Sequence, residues 1–316
     1  MRRRGRPTCF RHEAVLYRGR RGFLRSLVPF VRDSLNAGEP ILVAVGQRKI
    51  DLLRRELGPE SSAEVSFVDI EGVGRNPARI IQVWRDWADR QAGDRFFRCV
   101  GESIWPGRTP EEIVECEYHE SLINAAFEDG PPWWLVCPYD AAHLDRRVID
   151  RAMHAHPLVS DRGRYRTTHE APADYASGML ADPLPEPQRE AERIRISMET
   201  LRSVRAEVRA AGARSGLSAA RCQDLAVAVN EAAANSILHG GGTGILRIWR
   251  EKRSLICEVG DNGRIEDHLL GRARPVPDAK GGAGVWLINQ TCDLVQIRSV
   301  PGGGAVVRMR MWLDRR

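Results

Sequence analysis

No apolar run in this 316-residue chain approaches the ~20 residues needed to span a bilayer, so neither a membrane-spanning helix nor a membrane partner is expected. The start, MRRRGRPTCF, has charge but no apolar stretch behind it, and so does not read as a signal peptide. Seven cysteines are scattered without paired CxxC spacing. That argues against a disulfide framework or a zinc ribbon and suits a reducing, cytoplasmic setting. The arginines form no long stripe with interleaved aromatics. The 48 basic and 42 acidic residues are mixed along the chain, for a net charge of +6, and no direct contact with nucleic acid is expected. What the chain does have is 42% hydrophobic residues, enough for real cores, in a length that predicts about two domains.

Residues 157–188, PLVSDRGRYRTTHEAPADYASGMLADPLPEPQ, are rich in proline and turn formers and make the best linker candidate. Before them, PILVAVG, AEVSFVDI, FFRCVGE and WWLVCPYD read as buried strands, and the segments between them have helical spacing. This alternation predicts an α/β unit, a mostly parallel sheet covered by helices with RecA- or Rossmann-like layering. Its ligand crevice should lie at the carboxyl ends of the strands. After the linker, REAERIRISMETLRSVRAEVRAAGARSG reads as one long helix, and a second follows, capped by Ser218 and ended at Gly240 to Gly242. GILRIWR with LICEVGD, and DLVQIRSV with AVVRMRMWL, predict two hairpins, hence an α+β sandwich.

The helix AVAVNEAAANSILHGGGTG (226–244) sets Glu231 and Asn235 one turn apart on a single face, either a solvated stripe or a carboxylate and a carboxamide facing a ligand. Asp261 and Gly263 come at the carboxyl end of LICEVGDNG, where an aspartate can accept from an amine such as adenine N6. Gly282 and Gly284 stand just before a helix, where exposed amides and the dipole favour phosphate oxygens. Magnesium keeps several waters, so one carboxamide oxygen plus phosphates suffices to hold it.

Taken in order, N-E-A-x-x-N-S-I-x-H-G at 230–240, D-N-G at 261–263, G-x-G at 282–284 and a closing glycine before the last strand resemble the GHKL ATPase fold, and most closely the bacterial anti-sigma-factor serine kinases. The resemblance covers residues 188–316. It implies ATP and Mg2+ as cofactors, with Glu231 as general base and Asn235 as the magnesium ligand. Asp261 would take the adenine amine, Gly263 would leave room for the ring, and Gly282 and Gly284 would lie at a lid of residues 264–283. It also implies two partners: a sigma factor, and an anti-anti-sigma protein of STAS type carrying the serine or threonine to be phosphorylated. A homodimer stays open. Ile265 stands where the family often has a second glycine, and Ala305 where a threonine is common; both lower the ATP affinity expected. A non-catalytic, ATP-dependent partner-binding module is the alternative. A sensor histidine kinase is disfavoured, because residues 189–213 offer no phosphoacceptor histidine and Leu238 stands where such kinases commonly have lysine.

The first half lacks G-x-x-x-x-G-K-[ST], so a second nucleotide site is not expected. RHEAVLY, GE at 101–102, EYHESLIN, CPYD and HP at 156–157 resemble the MEDS sensory domain, over residues 8–158 with 159–187 as the linker. That family has been linked to small organic ligands and is often fused to regulatory outputs. The candidate ligand-binding groups are His12, Glu102, His119, Glu120, Cys137 and Asp140. Glu102, Cys137 and Asp140 are expected at strand ends; His119 and Glu120 read more readily as an ordinary exposed helix face. His12, Cys137 and His156 are metal-type ligands, but their spacing follows no familiar metal motif.

Overall fold

The computed structural model describes residues 9–91, 95–168, 172–275 and 281–313, with the side chains of 172–175 not described. Of the expected spans, residue 8, 92–94, 169–171, 314–316 and the lid stretch 276–280 lie outside the described residues. The chain forms two compact units, 1–175 and 176–316.

The front unit runs β1 (Arg11–Tyr17), α1 (Gly19–Asn36), β2 (Ile41–Val45), α2 (Gln47–Leu57), α3 (Pro59–Ala63), β3 (Ser66–Asp69), α4 (Ile70–Val73) and α5 (Ile80–Asp89). It continues with β4 (Arg98–Gly101), α6 (Pro110–Ala126), β5 (Trp134–Asp140), α7 (Arg146–Ala155), β6 (Leu158–Asp161) and β7 (Arg164–Thr167). Its sheet has the order β3-β2-β4-β5-β1-β6-β7, parallel except for the last pair. Every residue of β2 and β5 is buried, as a sheet covered on both faces requires. Alternation divides the strands between the faces. Val15, Tyr17 and Val136 share a core with Phe23, Leu27 and Val31 of α1 and Ile50 and Leu53 of α2. His12, Ala14 and Cys137 face the opposite way, toward α6.

Three elements differ from the sequence reading. RHEAVLY is β1, a central strand parallel to both β5 and β6; its His, Glu and Arg mask it as an apolar run. The expected linker 159–187 contains most of β6, all of β7 and then α8 (Pro172–Ala181). The β6–β7 hairpin turns at Arg162 (φ 50°) and Gly163 (φ 77°), two successive left-handed residues without the usual Asn-Gly signal. β7 is exposed along its length, so no buried face betrays it in the sequence. The long helix expected after the linker is instead a strand, β8 (Glu192–Ile196), followed by the shorter α9 (Leu201–Ser215). Ile194 and Ile196 alternate with arginines, and the Ser197 N–H donates to Thr200 Oγ1 at 2.9 Å in the turn between them.

The second unit continues with α10 (Ala219–His239), β9 (Gly244–Glu251), β10 (Ser254–Asp261), α11 (Ala283–Thr291), β11 (Leu294–Val300) and β12 (Gly304–Trp312). Its sheet, β11-β12-β10-β9-β8, is antiparallel throughout. Leu246, Ile248, Leu255, Cys257, Val259, Met309 and Met311 give one face of it to a core with α9, α10 and α11. This is the α+β sandwich expected. On the other face, buried Glu258 lies between Arg247 and Arg308, both of which donate to it. The start of α10 is tied down by Arg221, which pairs with Asp293 and donates to the Trp312 carbonyl at 2.9 Å. Among the described residues no helix is long and apolar enough to cross a membrane.

The core of each unit is its own set of residues. Leu246→Ala deletes a fully buried side chain and should cost about 2–5 kcal/mol. In calorimetry of the full chain, one of two unfolding transitions should move down while the other stays in place. A common shift of both would mean that the units unfold as one.

Candidate functional site

Asp261 closes β10 as a half-buried carboxylate. Its Oδ2 accepts from Ser236 Oγ at 2.5 Å, and its Oδ1 accepts from the Gly263 N–H at 2.7 Å. Ser236 belongs to α10, so one charge-assisted hydrogen bond fixes the strand end to the polar helix. Glycines let the backbone close around it. A Cβ on Gly263 would stand 2.8 Å from Asp261 Oδ1, and one on Gly304 would run into the Asp261 carbonyl oxygen. Gly304 also has φ +82°, which side chains rarely adopt.

Glu231 and Asn235 are half-buried, and they share Gly284, in the first turn of α11, as a neighbour. A Cβ there would lie 2.8 Å from Glu231 Oε2 and 3.5 Å from Asn235 Nδ2. Gly282 caps α11 at φ +87°, and among the described residues no side chain caps the first N–H groups of the helix. A carboxylate, a carboxamide and a bare helix N-terminus around a space that a Cβ would fill suit phosphate oxygens and a hard cation. The six residues proposed for nucleotide thus gather at the two ends of one arrangement, joined through α10. Sequence reasoning gave Ser236 no role, and Gly304 entered it only as the closing glycine before the last strand. Ser236 directly follows Asn235, and its buried hydroxyl on an alanine-rich helix was the available signal. Of the two departures, Ile265 donates its N–H to Ser299 Oγ at 2.9 Å, and Ala305 is buried opposite Asp261 in the β10–β12 register.

The residues proposed for the front unit fall into two groups. Glu102 and Asp140 lie at the carboxyl ends of β4 and β5 as expected. Buried Glu102 accepts from Tyr17 Oη at 3.0 Å and pairs with Lys49, which also donates to Tyr17 Oη at 2.8 Å. Burial pushes the Glu102 carboxyl up, and Lys49 opposes this only in part. Asp140 accepts from the N–H groups of Gly19 and Ala142, each at 3.1 Å, and bonds His143 Nδ1 at 2.8 Å. Burial works against its charge, but these bonds hold the carboxyl below its usual range. Tyr17 and Lys49 complete this polar floor. Neither was picked out, because β1 was not read as a strand and Lys49 lies inside the helix that follows β2.

His12, Glu120 and Cys137 form the second group, together with His156. Two expectations change here. Cys137 lies in the middle of β5 and not at its end. His119 and Glu120 do not form an exposed face: they are 1% and 2% exposed, within a stretch of α6 that is buried from Glu115 to Ile123. α6 starts with a capping box between Thr109 and Glu112 and carries Glu117, which pairs with Arg151 of α7 at 2.6 Å. Partnering of this kind is what lets so polar a helix be buried. His12 Nε2 lies 3.3 Å from Cys137 Sγ and 3.2 Å from Glu120 Oε2. Burial, with His156 beside it, pushes the His12 imidazole down to about 4. Burial also opposes charge on Glu120, but the two imidazoles hold it well below the usual carboxylate range.

Residues 11–157 match the family model described as MEDS, the methanogen/methylotroph, DcmR sensory domain. Residues 194–311 match the model of the histidine kinase-like ATPase domain. No curated protein matches the chain. The second match implies ATP as ligand, usually with Mg2+, and the cradle between α10 and α11 has the donors for both. Ser236→Ala removes the clamp on Asp261 without touching the carboxylate. A hydrogen bond to a charged group is worth about 1.5–3 kcal/mol, so ATP affinity measured by calorimetry should fall at least about tenfold. Unchanged affinity would mean that Asp261 needs no support from α10.

Proposed function

From a chain that joins a MEDS sensory domain to a histidine kinase-like ATPase domain, we propose a signalling regulator whose second domain is an anti-sigma-type serine/threonine kinase. The first domain sets its output in response to a small organic ligand. The observation that carries the kinase reading is Glu231, beside Asn235 and against Gly284 at the bare start of α11. Asp261 accepts from the adenine amine, and Gly263 leaves room for the ring. The α11 N-terminus receives phosphate oxygens, and Asn235 holds magnesium. When bound, that ion supplies positive charge across the phosphates. Glu231 takes the hydroxyl proton of the partner's serine or threonine as its oxygen attacks the γ-phosphorus, and ADP leaves.

The substrate on this reading is an anti-anti-sigma protein of STAS type, and the second partner is a sigma factor. A histidine kinase is disfavoured: β8 and α9 precede α10, and residues 176–218 contain no histidine. The second reading is an ATP-dependent clamp without phosphotransfer, favoured by Ile265 and Ala305 at positions where the resemblance expects glycine and threonine. With labelled ATP and a purified STAS-type partner, Glu231→Ala should lose about 100- to 10,000-fold in transfer while keeping ATP binding. A wild-type protein that binds both nucleotide and partner yet never labels the partner would sink the kinase reading in favour of the clamp.

The sensory half of the proposal rests on the polar floor of Tyr17, Lys49, Glu102 and Asp140 at the strand ends. Coupling between two sites is usually worth ~1–3 kcal/mol, enough to change partner affinity several-fold. Residues 176–316 alone should therefore bind ATP and partner, with an affinity that no longer responds to a small-molecule extract from the native cell. A cut at residue 160 would split β6, whereas the boundary at 175, within α8, is where the two compact units divide. Equal responses from the piece and the whole chain would remove the sensing role from the front domain.

A further inference from the structure

The buried cluster of the front unit takes no part in the nucleotide reading. His12 on β1, Glu120 on α6, Cys137 on β5 and His156 at the end of α7 each turn one ligand-type atom toward the same point. Those atoms all lie within 4.8 Å of one another. None of the four residues is more than 2% exposed. His12 Nε2 is 3.3 Å from Cys137 Sγ and 3.2 Å from Glu120 Oε2, and His156 Nε2 is 3.3 Å from the same oxygen. With bonds of ~2.0–2.3 Å, the edges of a zinc tetrahedron run ~3.3–3.6 Å.

Hydrogen bonding alone leaves this group short of protons. His156 Nδ1 stands 2.7 Å from the Ala152 carbonyl oxygen, which can only accept, so Nδ1 carries the proton. The ring's Nε2 faces a carboxylate oxygen at 3.3 Å, an arrangement that calls for a cation or a further proton between them. Neither His156 Nε2 nor Glu120 Oε2 has a hydrogen-bond partner. Outer contacts of the kind that orient metal ligands are already in place: Ala152 on His156, and Ser103 on the other Glu120 oxygen.

We infer that His12, Glu120, Cys137 and His156 bind a divalent transition-metal ion of the zinc type. A thiol and two imidazoles suit a borderline-soft ion and exclude magnesium or calcium. Binding removes the Cys137 thiol proton to solvent and forms a metal–thiolate bond, with no change in oxidation state. Four protein ligands complete a tetrahedron and leave no open position, so the ion is structural, pinning α6 and the end of α7 to β1 and β5. It lies apart from the ATP reading and stands or falls without it.

The test uses untagged full-length protein. After exhaustive dialysis, mass spectrometry of the metal content should find one ion per chain. Removal by a chelator should lower the melting temperature, and zinc alone should restore it. Cobalt in place of zinc should give the intense visible absorption of tetrahedral coordination and a near-ultraviolet thiolate-to-cobalt band, which Cys137→Ser abolishes. Ser103→Ala leaves all four ligands in place and removes only the support of Glu120, so metal affinity should fall about 10- to 100-fold with the fold retained. Wild-type protein that holds no stoichiometric metal and gives no thiolate band with cobalt would overturn the assignment, leaving a buried His–Glu–His network that shares a proton. So would a band that persists in Cys137→Ser.

Discussion

A carboxylate removed from water must be met by donors or by a cation, and both units of this protein are arranged around that requirement. In the second unit Asp261 is met by Ser236 and the Gly263 amide, and Glu258 by two arginines. In the front unit Glu102 is met by Tyr17 and Lys49, and Glu117 by Arg151. Glu120 has a different set of neighbours, with no arginine or lysine among the described residues that meet it. One of its oxygens is held by Ser103, and the other faces two imidazoles and no hydrogen-bond partner. What sets the site apart is the company of that oxygen: two imidazoles and a thiol converge on it, and that convergence is the basis for placing a metal ion there.

The same requirement explains where the glycines fall. A helix that carries Glu231 and Asn235 can serve a ligand only if the facing backbone comes close without side chains of its own. Gly284 does this against Glu231, and Gly263 and Gly304 do it around Asp261. The positions are steric as well as conformational: Gly263 and Gly284 have no left-handed φ, and at these two the case for glycine is space alone.

Much of the second unit was legible because its signals are local. Glu231 and Asn235 are one turn apart, and Asp261 and Gly263 sit together at a strand end, so spacing along the chain reports spacing in the fold. β8 was misread because five residues with arginines at alternate positions fit a helix as readily as an edge strand. In the front unit the four apolar strands were visible, but β1 was not, since it carries His12 and Glu13 into the centre of a sheet. The metal-type cluster was legible only in part, with His12, Cys137 and His156 named as ligand types and nothing in their spacing to join them. His12 and Cys137 are 125 residues apart and meet only because β1 and β5 are adjacent. Glu120 lies on a helix whose polar pattern mimics a solvent-facing surface.

β1 links the two features of the front unit. Near its start His12 points toward α6, and at its end Tyr17 points to the opposite face, against Glu102 and Lys49. Strand alternation permits this, because positions 12 and 17 differ by an odd number of residues. Parallel pairing with β5 runs unbroken from Arg11 to Tyr17, so whatever fixes His12 to Cys137 also fixes the position of Tyr17 beside Glu102 and Lys49. An ion at the first position would set the geometry of the polar floor at the second while staying out of reach of whatever binds there. Polar groups held in this way lose less entropy in meeting a ligand than groups that must first be ordered. The buried cluster and the strand-end polar group are thus tied to one another through a single strand.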